Sequence, residues 1–524
     1  EARMKRRASR WLWVAGVAMA ALALLPAVYL VVRASEADAD AWRLLLRDRT
    51  WGLLWRTLGL AGAVTASAAA LSLPLAWLTT RTDLPGRRAW VVLLCVPLAL
   101  PTFVSGYVLL AAFGTGGALE APLARWGLPV PPVYGFPGAL LALTVSTYPY
   151  FLLALRAGLQ AQDPAWLEGA RSLGLTPARA FWRVTVPLLR PSFASGALLV
   201  GLYVLSDFGA VALLQYDAFS RAIYVQYEGA YDRTYAALLG LALVGVTVAV
   251  LALEVRLRGR AGYHRSAKGA ARAAAPVRLE RWRVPALLLC GAVVALGVGL
   301  PVGVLLFWGV RGLSGAGGPV LGPALNSVLA SGLGAAAAVL GALPLAFLAV
   351  RYPGRLTVAL ERAAYGGYAL PPIVLALSLV FLGVQALPFL YGTLAMLVLA
   401  YLVRFLPQAV GVTRSALLQL NPHLPEAAAS LGQPPSGVLR RVTAPLLRPG
   451  LLAGAALVFL TAMKELPATL LLAPIGFDTL ATRVWSATAE GRFAEAALPA
   501  LVLMAVSTLG VGLLVSQEGG SAPS

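Results

Sequence analysis

EGARSLGLTPARAFWRVTVPLLRP occupies Glu168–Pro191, and EAAASLGQPPSGVLRRVTAPLLRP occupies Glu426–Pro449. Aligned without a gap, 14 of the 24 positions are identical, at a constant separation of 258 residues. Each copy is polar and arginine-bearing within an otherwise apolar chain. An ordinary surface loop has no reason to hold the same residues at the same spacing twice.

The repetition spreads outward from this segment. At the same separation Pro149 matches Pro407, Arg156 matches Arg414, Pro164 matches Pro422, and Asp207 falls opposite Glu465. Further upstream the separation becomes 270: Leu73–Trp77 (LPLAW) answers Leu343–Phe347 (LPLAF), and Leu100-Pro101 answers Leu370-Pro371. The difference lies in a longer first-half loop at Gly114–Gly135. The chain therefore reads as a duplication, with a first repeat at 1–253, a basic linker at 254–284 and a second repeat at 285–524.

Composition places both repeats in a membrane. Of 524 residues 59% are hydrophobic and 12% charged, with mean hydropathy +0.78, against roughly 25% charged in soluble domains. About 20 apolar residues cross a hydrocarbon core of roughly 30 Å. Twelve candidate spans begin near Trp11, Thr57, Trp90, Gly138, Pro191, Tyr235, Pro285, Ala324, Arg362, Thr393, Pro449 and Phe493. The expected fold is an all-α integral membrane protein of about 12 helices in two parallel six-helix repeats. The basic N-terminal segment and the apolar run after it read as an uncleaved first helix.

The net charge of +20 is distributed unevenly among the gaps. One alternate set of gaps holds about 30 of the 42 Lys and Arg, and that asymmetry places both termini in the cytoplasm. The charge thus orients the chain in its bilayer and calls for no nucleic-acid partner. Cys95 and Cys290 lie in apolar runs, and neither a His/Cys cluster nor a dense carboxylate group suggests a resident metal. Tyr203, Tyr216, Tyr224, Tyr227, Tyr231 and Tyr235 read as interfacial anchors.

Both repeated segments, within loops 161–190 and 419–448, fall in gaps assigned to the cytoplasm. In each, a short helix leads to a glycine and a second basic-apolar stretch leads to a proline. Gly174 and Gly432 suit a left-handed helix end, and Pro187 and Pro445 would halt or bend the chain as it re-enters the membrane. The product is a compact knob, one per half, suited to two identical partner subunits.

The spacing Glu, Gly, aliphatic, Pro resembles the EAA loop of the permeases of ATP-binding-cassette importers. It is carried by Glu168, Ala170, Gly174, Val184 and Pro187, and again by Glu426, Ala427, Ala428, Gly432, Val442 and Pro445. Gly169 stands where the second copy has Ala427. Leu205–Leu214, Lys464–Trp485 and Arg492–Leu501 are similar to the fused permeases of bacterial ferric-iron importers. The resemblance implies a bacterial inner-membrane subunit with two partners: a dimeric ATPase, and an extracytoplasmic binding protein that delivers the substrate. It also implies that Glu168 and Glu426 anchor the knobs by charge and helix capping. The chain carries no G-x-x-x-x-G-K-[ST] segment, so ATP and magnesium are expected on the partner, with no catalytic residue and no bound cofactor here.

Asp207 lies about 16 residues beyond Pro191, roughly 24 Å along a helix, and Glu465 has the same place in the second half. Charges at bilayer depth normally face a partner or a water-filled cavity. Asp207, Glu465 and Lys464 are therefore candidate pathway residues, with a structural ion pair to Lys464 or a loop arginine as the alternative. A thiamine or other nutrient permease, or an ion-coupled secondary transporter, would share this architecture.

Overall fold

The computed structural model describes residues 9–229, 234–258, 276–316, 318, 320–367, 370–421 and 423–519. Among them the chain is helical apart from connections and one isolated bridge, Thr82–Val277. The linker expected at 254–284 is described only at its ends, and Tyr231, Lys268 and Pro422 lie outside the described residues. At the linker's far end Val277 N–H donates to Arg81 O at 2.8 Å and Leu279 N–H to Asp83 Oδ1 at 2.9 Å.

Uninterrupted apolar sequence and the need to satisfy every backbone group in lipid leave helices as the available structure. Among the described residues eight helices are long and apolar enough to cross a membrane, or ten if each of two bent pairs is one span. Arg87–Ala99 and Thr102–Phe113 meet at 91°. Pro101 explains the corner, because it lacks an N–H and holds Leu100 extended (φ −78°, ψ 123°). Phe181–Leu188 and Arg190–Ser206 meet at 56°. The expected ninth and twelfth spans correspond to shorter apolar stretches, Pro372–Gln385 and Phe493–Thr508.

The helices themselves repeat. Phe136–Ala161 and Leu394–Gln419 have the same limits 258 residues apart, and Asp48–Arg81 and Leu321–Arg351 end 270 apart. The packing nevertheless cuts across the duplication. One compact unit comprises Glu1–Leu45, Ile223–Val244 and Pro319–Arg483; the other comprises Leu46–Ala222, Gly245–Gly318 and Val484–Ser524.

In the first unit Leu321–Arg351, Leu394–Gln419 and Ala444–Ala462 pack together as a trio. The chain's first long helix, Arg10–Ser35, lies against Leu321–Arg351, Arg355–Gly366 and Pro372–Gln385. Tyr29 donates to Gln385 Oε1 at 2.5 Å, and the Arg33 guanidinium sits 5.6 Å from the Phe381 ring centre. In the second unit the trio is Asp48–Arg81, Phe136–Ala161 and Arg190–Ser206. Leu300–Arg311, from the sequence's second half, packs there on Thr102–Phe113 and Phe493–Gly519. Trp308 Nε1 donates to Ala111 O, and Tyr107 Oη donates to Phe493 O, each at 2.9 Å. Each unit thus joins a trio from one half to peripheral helices from the other.

Small residues set these contacts. A Cβ on Gly334 would stand 2.7 Å from Tyr401 Cδ2 and 2.8 Å from its Cβ, and Tyr401 is fully buried. Gly332, two residues earlier, faces open space. Gly334→Val should cost about 1–3 kcal/mol through overpacking, whereas Gly332→Val should be near neutral. Thermal unfolding of the two variants in detergent checks this, and equal midpoints would contradict the packing account.

Candidate functional site

The two repeated segments fold alike and share the backbone hydrogen bonds that turn the chain. The first opens with helix Pro164–Ser172, whose N-cap Asp163 accepts from Ala165 N–H at 3.0 Å. The second opens with helix His423–Ser430, where Asn421 Oδ1 accepts from His423 N–H at 3.0 Å. Gly174 and Gly432 then adopt φ +86° and +82°, the left-handed region that other residues enter at a cost. Leu175 N–H reaches back to Ala170 O and Gln433 N–H to Ala428 O, each at 3.2 Å. Gly174 and Gly432 donate to Arg171 O and Ala429 O, each at 3.0 Å. Sequential bonds of this kind close the end of a helix and turn the chain.

A four-residue helix follows in each copy, Pro177–Ala180 and Pro435–Val438. It runs into a π-helical turn, Phe181–Thr185 and Leu439–Thr443. Val186 N–H closes the first on Phe181 O, and Ala444 N–H closes the second on Leu439 O. Pro187 and Pro445 follow directly. A proline donates no N–H and crowds the carbonyl four residues back, so the wider turn accommodates it. The expected halt or bend occurs in the first copy; in the second, Ser436–Ala462 continues as one candidate span. Val184 and Val442 sit half-buried within these turns.

The first knob is tied down on one side. Trp77 meets Phe181 edge-on at 4.7 Å, Gln162 Nε2 donates to Thr185 O at 3.1 Å, and Arg81 donates to Leu159 O at 2.5 Å. Both knobs carry bare positions. Leu173 and Leu431, each just before its glycine, are 86% and 84% exposed, and Trp166 and Leu424 are 60% and 47% exposed. These two pairs share repeat positions and were not picked out from sequence, although identical leucines beside each glycine were the available signal. Glu426 is exposed, and His423 Nδ1 lies 3.4 Å from its carboxylate. Glu168 lies on the first helix, and its side chain lies outside the described residues. Helix capping therefore falls to Asp163 and Asn421, and Glu426 stays free of that task. Ala170 is buried, Ala427 exposed and Ala428 half-buried.

Asp207 and Glu465 also match. Each is buried and follows a long helix at the point where it breaks. Asp207 Oδ2 accepts from Ala210 N–H at 3.1 Å and Val211 N–H at 3.4 Å, while Thr102 Oγ1 donates to Oδ1. Glu465 Oε2 accepts from Ala468 N–H at 2.9 Å and Thr469 N–H at 3.2 Å. Hydroxyls take up the same residues' carbonyls: Ser220 Oγ to Asp207 O at 2.6 Å, and Thr469 Oγ1 to Glu465 O at 2.8 Å. The carboxylates thus cap the short helices Gly209–Leu213 and Pro467–Leu472. The expected ion pair is present in a different form. Glu465 faces Arg404 Nε at 3.7 Å, on the membrane helix Leu394–Gln419 and not on a loop. Lys464 is half-buried and, among the described residues, has no ion-pair or hydrogen-bond partner for its ammonium.

With this geometry in hand, comparison with known proteins gives a consistent answer. Residues 68–258 and 330–517 each match the family described as the binding-protein-dependent transport system inner membrane component. Over 520 residues, 98% of this chain and 99% of the relative, 34% are identical to the Fe(3+)-transport system permease protein FbpB 2 of Haemophilus influenzae. The Synechocystis sulfate transport system permease protein CysW is 27% identical over 46% of this chain and 90% of its own length. The Escherichia coli molybdenum transport system permease protein ModB is 33% identical over 30% of this chain and 69% of its own. Two matched domains, two matched knobs and a relative of the same length lead to one conclusion: the chain belongs to the inner-membrane permease family of binding-protein-dependent transport systems, and within such a system it is the permease and not the ATPase.

Proposed function

We propose that this chain forms the translocation path of an ATP-driven importer for ferric iron. The carrying observation is the match to the Haemophilus influenzae Fe(3+) permease across essentially the whole of both proteins. In this reading a binding protein delivers the iron from outside, and a separate pair of ATPase subunits supplies the energy. The chain crosses the membrane twelve times, six per half, with both termini and both knobs in the cytoplasm. The partial matches to sulfate and molybdenum permeases favour an oxyanion importer as the second reading.

Each knob then takes one ATPase subunit. Leu173 and Leu431 supply apolar area at the tip, Glu426 and Glu168 supply charge, and the left-handed glycines fix the angle between the two short helices. Asp207 and Glu465 flank the pathway as the caps that let a helix break within it. Closure of the ATPase pair, carried through the knobs, shifts the path between outward and inward access.

Three measurements follow from this reading. ATP hydrolysis by the reconstituted complex should rise with ferric-loaded binding protein and stay basal with empty, sulfate-loaded or molybdate-loaded protein. Stimulation by an oxyanion alone would replace iron as the substrate. Gly432→Leu should lower stimulated hydrolysis about tenfold, because a left-handed leucine costs roughly 1–2 kcal/mol and tilts the knob; normal coupling in a well-expressed variant would contradict this. Leu431→Asp should weaken ATPase binding at least tenfold, since burying a leucine contributes about 1.5–3 kcal/mol. Unchanged co-purification would remove the leucine tips from the interface.

A further inference from the structure

Arg414 matches Arg156 at the 258-residue separation, yet the two side chains take different partners. Arg156 donates to Thr79 Oγ1 at 2.6 Å, on helix Asp48–Arg81. The second-half counterpart of Thr79, 270 residues on, is Ala349, whose side chain offers no oxygen. Arg414 Nη1 donates instead to Glu361 Oε1 at 2.7 Å, on helix Arg355–Gly366, and remains exposed. On that helix Val358, Glu361, Arg362 and Tyr365 stand three or four residues apart and share one face. Tyr365 reaches the other helix one turn before Arg414, since a Cβ on Gly411 would stand 3.5 Å from Tyr365 Oη.

Between these faces lies a cleft of about 400 Å³, lined by Val358, Glu361, Arg362, Tyr365, Gly366 and Arg414. Two guanidiniums and one carboxylate border it. Arg414 spends a donor on Glu361, while Arg362 is exposed and has no hydrogen-bond or ion-pair partner among the described residues. A guanidinium brings N–H donors and no acceptor, so the cleft offers spare donors and net positive charge to an anionic oxygen. Its polarity is graded along the helices. Arg414 lies five residues, about 8 Å, before the end of Leu394–Gln419 that leads to the second knob. Tyr365 and Gly366 lie further from that end. They stand beside Leu24, whose Cδ2 would be 2.9 Å from a Cβ on Gly366, and both Tyr365 and Leu24 are exposed. The charged end therefore lies toward the knob and the apolar end toward the bilayer interior.

We infer that this cleft holds the phosphate head group of an anionic phospholipid. Arg362 and Arg414 donate to the phosphate oxygens, Glu361 fixes the direction of Arg414, and the acyl chains pass Tyr365 and Leu24. Basic clefts between membrane helices suit such head groups. A free phosphate would use the arginines but leave the apolar end without an occupant, and that favours the lipid. Counting back 270 residues, Glu361 and Arg362 correspond to Val91 and Val92, so the first half lacks these charges. In the proposed orientation the cleft opens to the cytoplasmic leaflet, and the bound lipid braces the helix end from which the second knob springs. The inference holds whichever substrate the chain carries.

The test is lipid retention by the full chain in detergent, read as mass adducts. Dioleoyl-phosphatidylglycerol, dioleoyl-phosphatidylcholine and inorganic phosphate are added in separate arms. The expected result is a phosphatidylglycerol adduct that outlasts the phosphatidylcholine adduct as collision energy rises. Arg362→Gln should lower its occupancy about tenfold, the scale of one lost charged hydrogen bond. Arg362 is exposed and unpartnered among the described residues, so this variant leaves the fold intact. Arg125→Gln, which removes an exposed arginine from helix Glu120–Arg125, should leave the adduct unchanged. Equal retention of the two lipids overturns the inference, as does a phosphatidylglycerol adduct that survives Arg362→Gln or falls as far in Arg125→Gln. An Arg362-dependent inorganic phosphate adduct without a phosphatidylglycerol adduct also overturns it, leaving an anion site that takes no lipid.

Discussion

Inside a bilayer, a backbone N–H or C=O that leaves its helix must find another partner within the protein. Much of this structure answers that constraint. Where the long helices stop at Asp207 and Glu465, carboxylates and hydroxyls supply the acceptors and donors that the break exposes. Where Pro187 and Pro445 remove a donor, the preceding turn widens into a π-helix and the bond moves one residue along. An interrupted helix can be held in lipid only with such provisions, and a transport path needs interrupted helices.

The knobs extend the same economy outside the apolar region. Two short helices, a left-handed glycine and a back-bonded carbonyl make a rigid corner from few residues, built to one pattern at both sites. In the proposed coupling, rigidity matters because the knob has to transmit motion; a flexible loop would absorb it. The compact units cut across the duplicated sequence, so each trio shares its unit with helices from the opposite half. Each unit therefore holds chain from both repeats.

Much of this was legible in the sequence. The 258-residue separation located both knobs, their glycines and the paired Asp207 and Glu465 to the residue, because a duplication under one geometric constraint keeps its special positions. Exchange of peripheral helices was not legible, since an apolar helix such as Arg10–Ser35 carries no mark of which neighbour it packs on. Asp163 and Asn421 accept the first-turn N–H groups, a role that the repeated glutamates, placed within the helices, do not signal in sequence. Arg404 escaped notice for a different reason: with span ends known to a few residues, an arginine eleven positions into a helix is easily taken for a loop charge. Its pairing with Glu465 depends on a contact 61 residues away in sequence, which periodicity does not reveal.

In the proposed complex one chain presents two equivalent docking elements to two identical ATPase subunits. Native mass spectrometry of the detergent-purified complex tests it most directly. The expected result is one copy of this 54.6 kDa chain with two copies of the ATPase, and loss of one ATPase copy when Leu173 or Leu431 alone is replaced by aspartate. A complex with a single ATPase, or two copies of this chain for every ATPase pair, would contradict it.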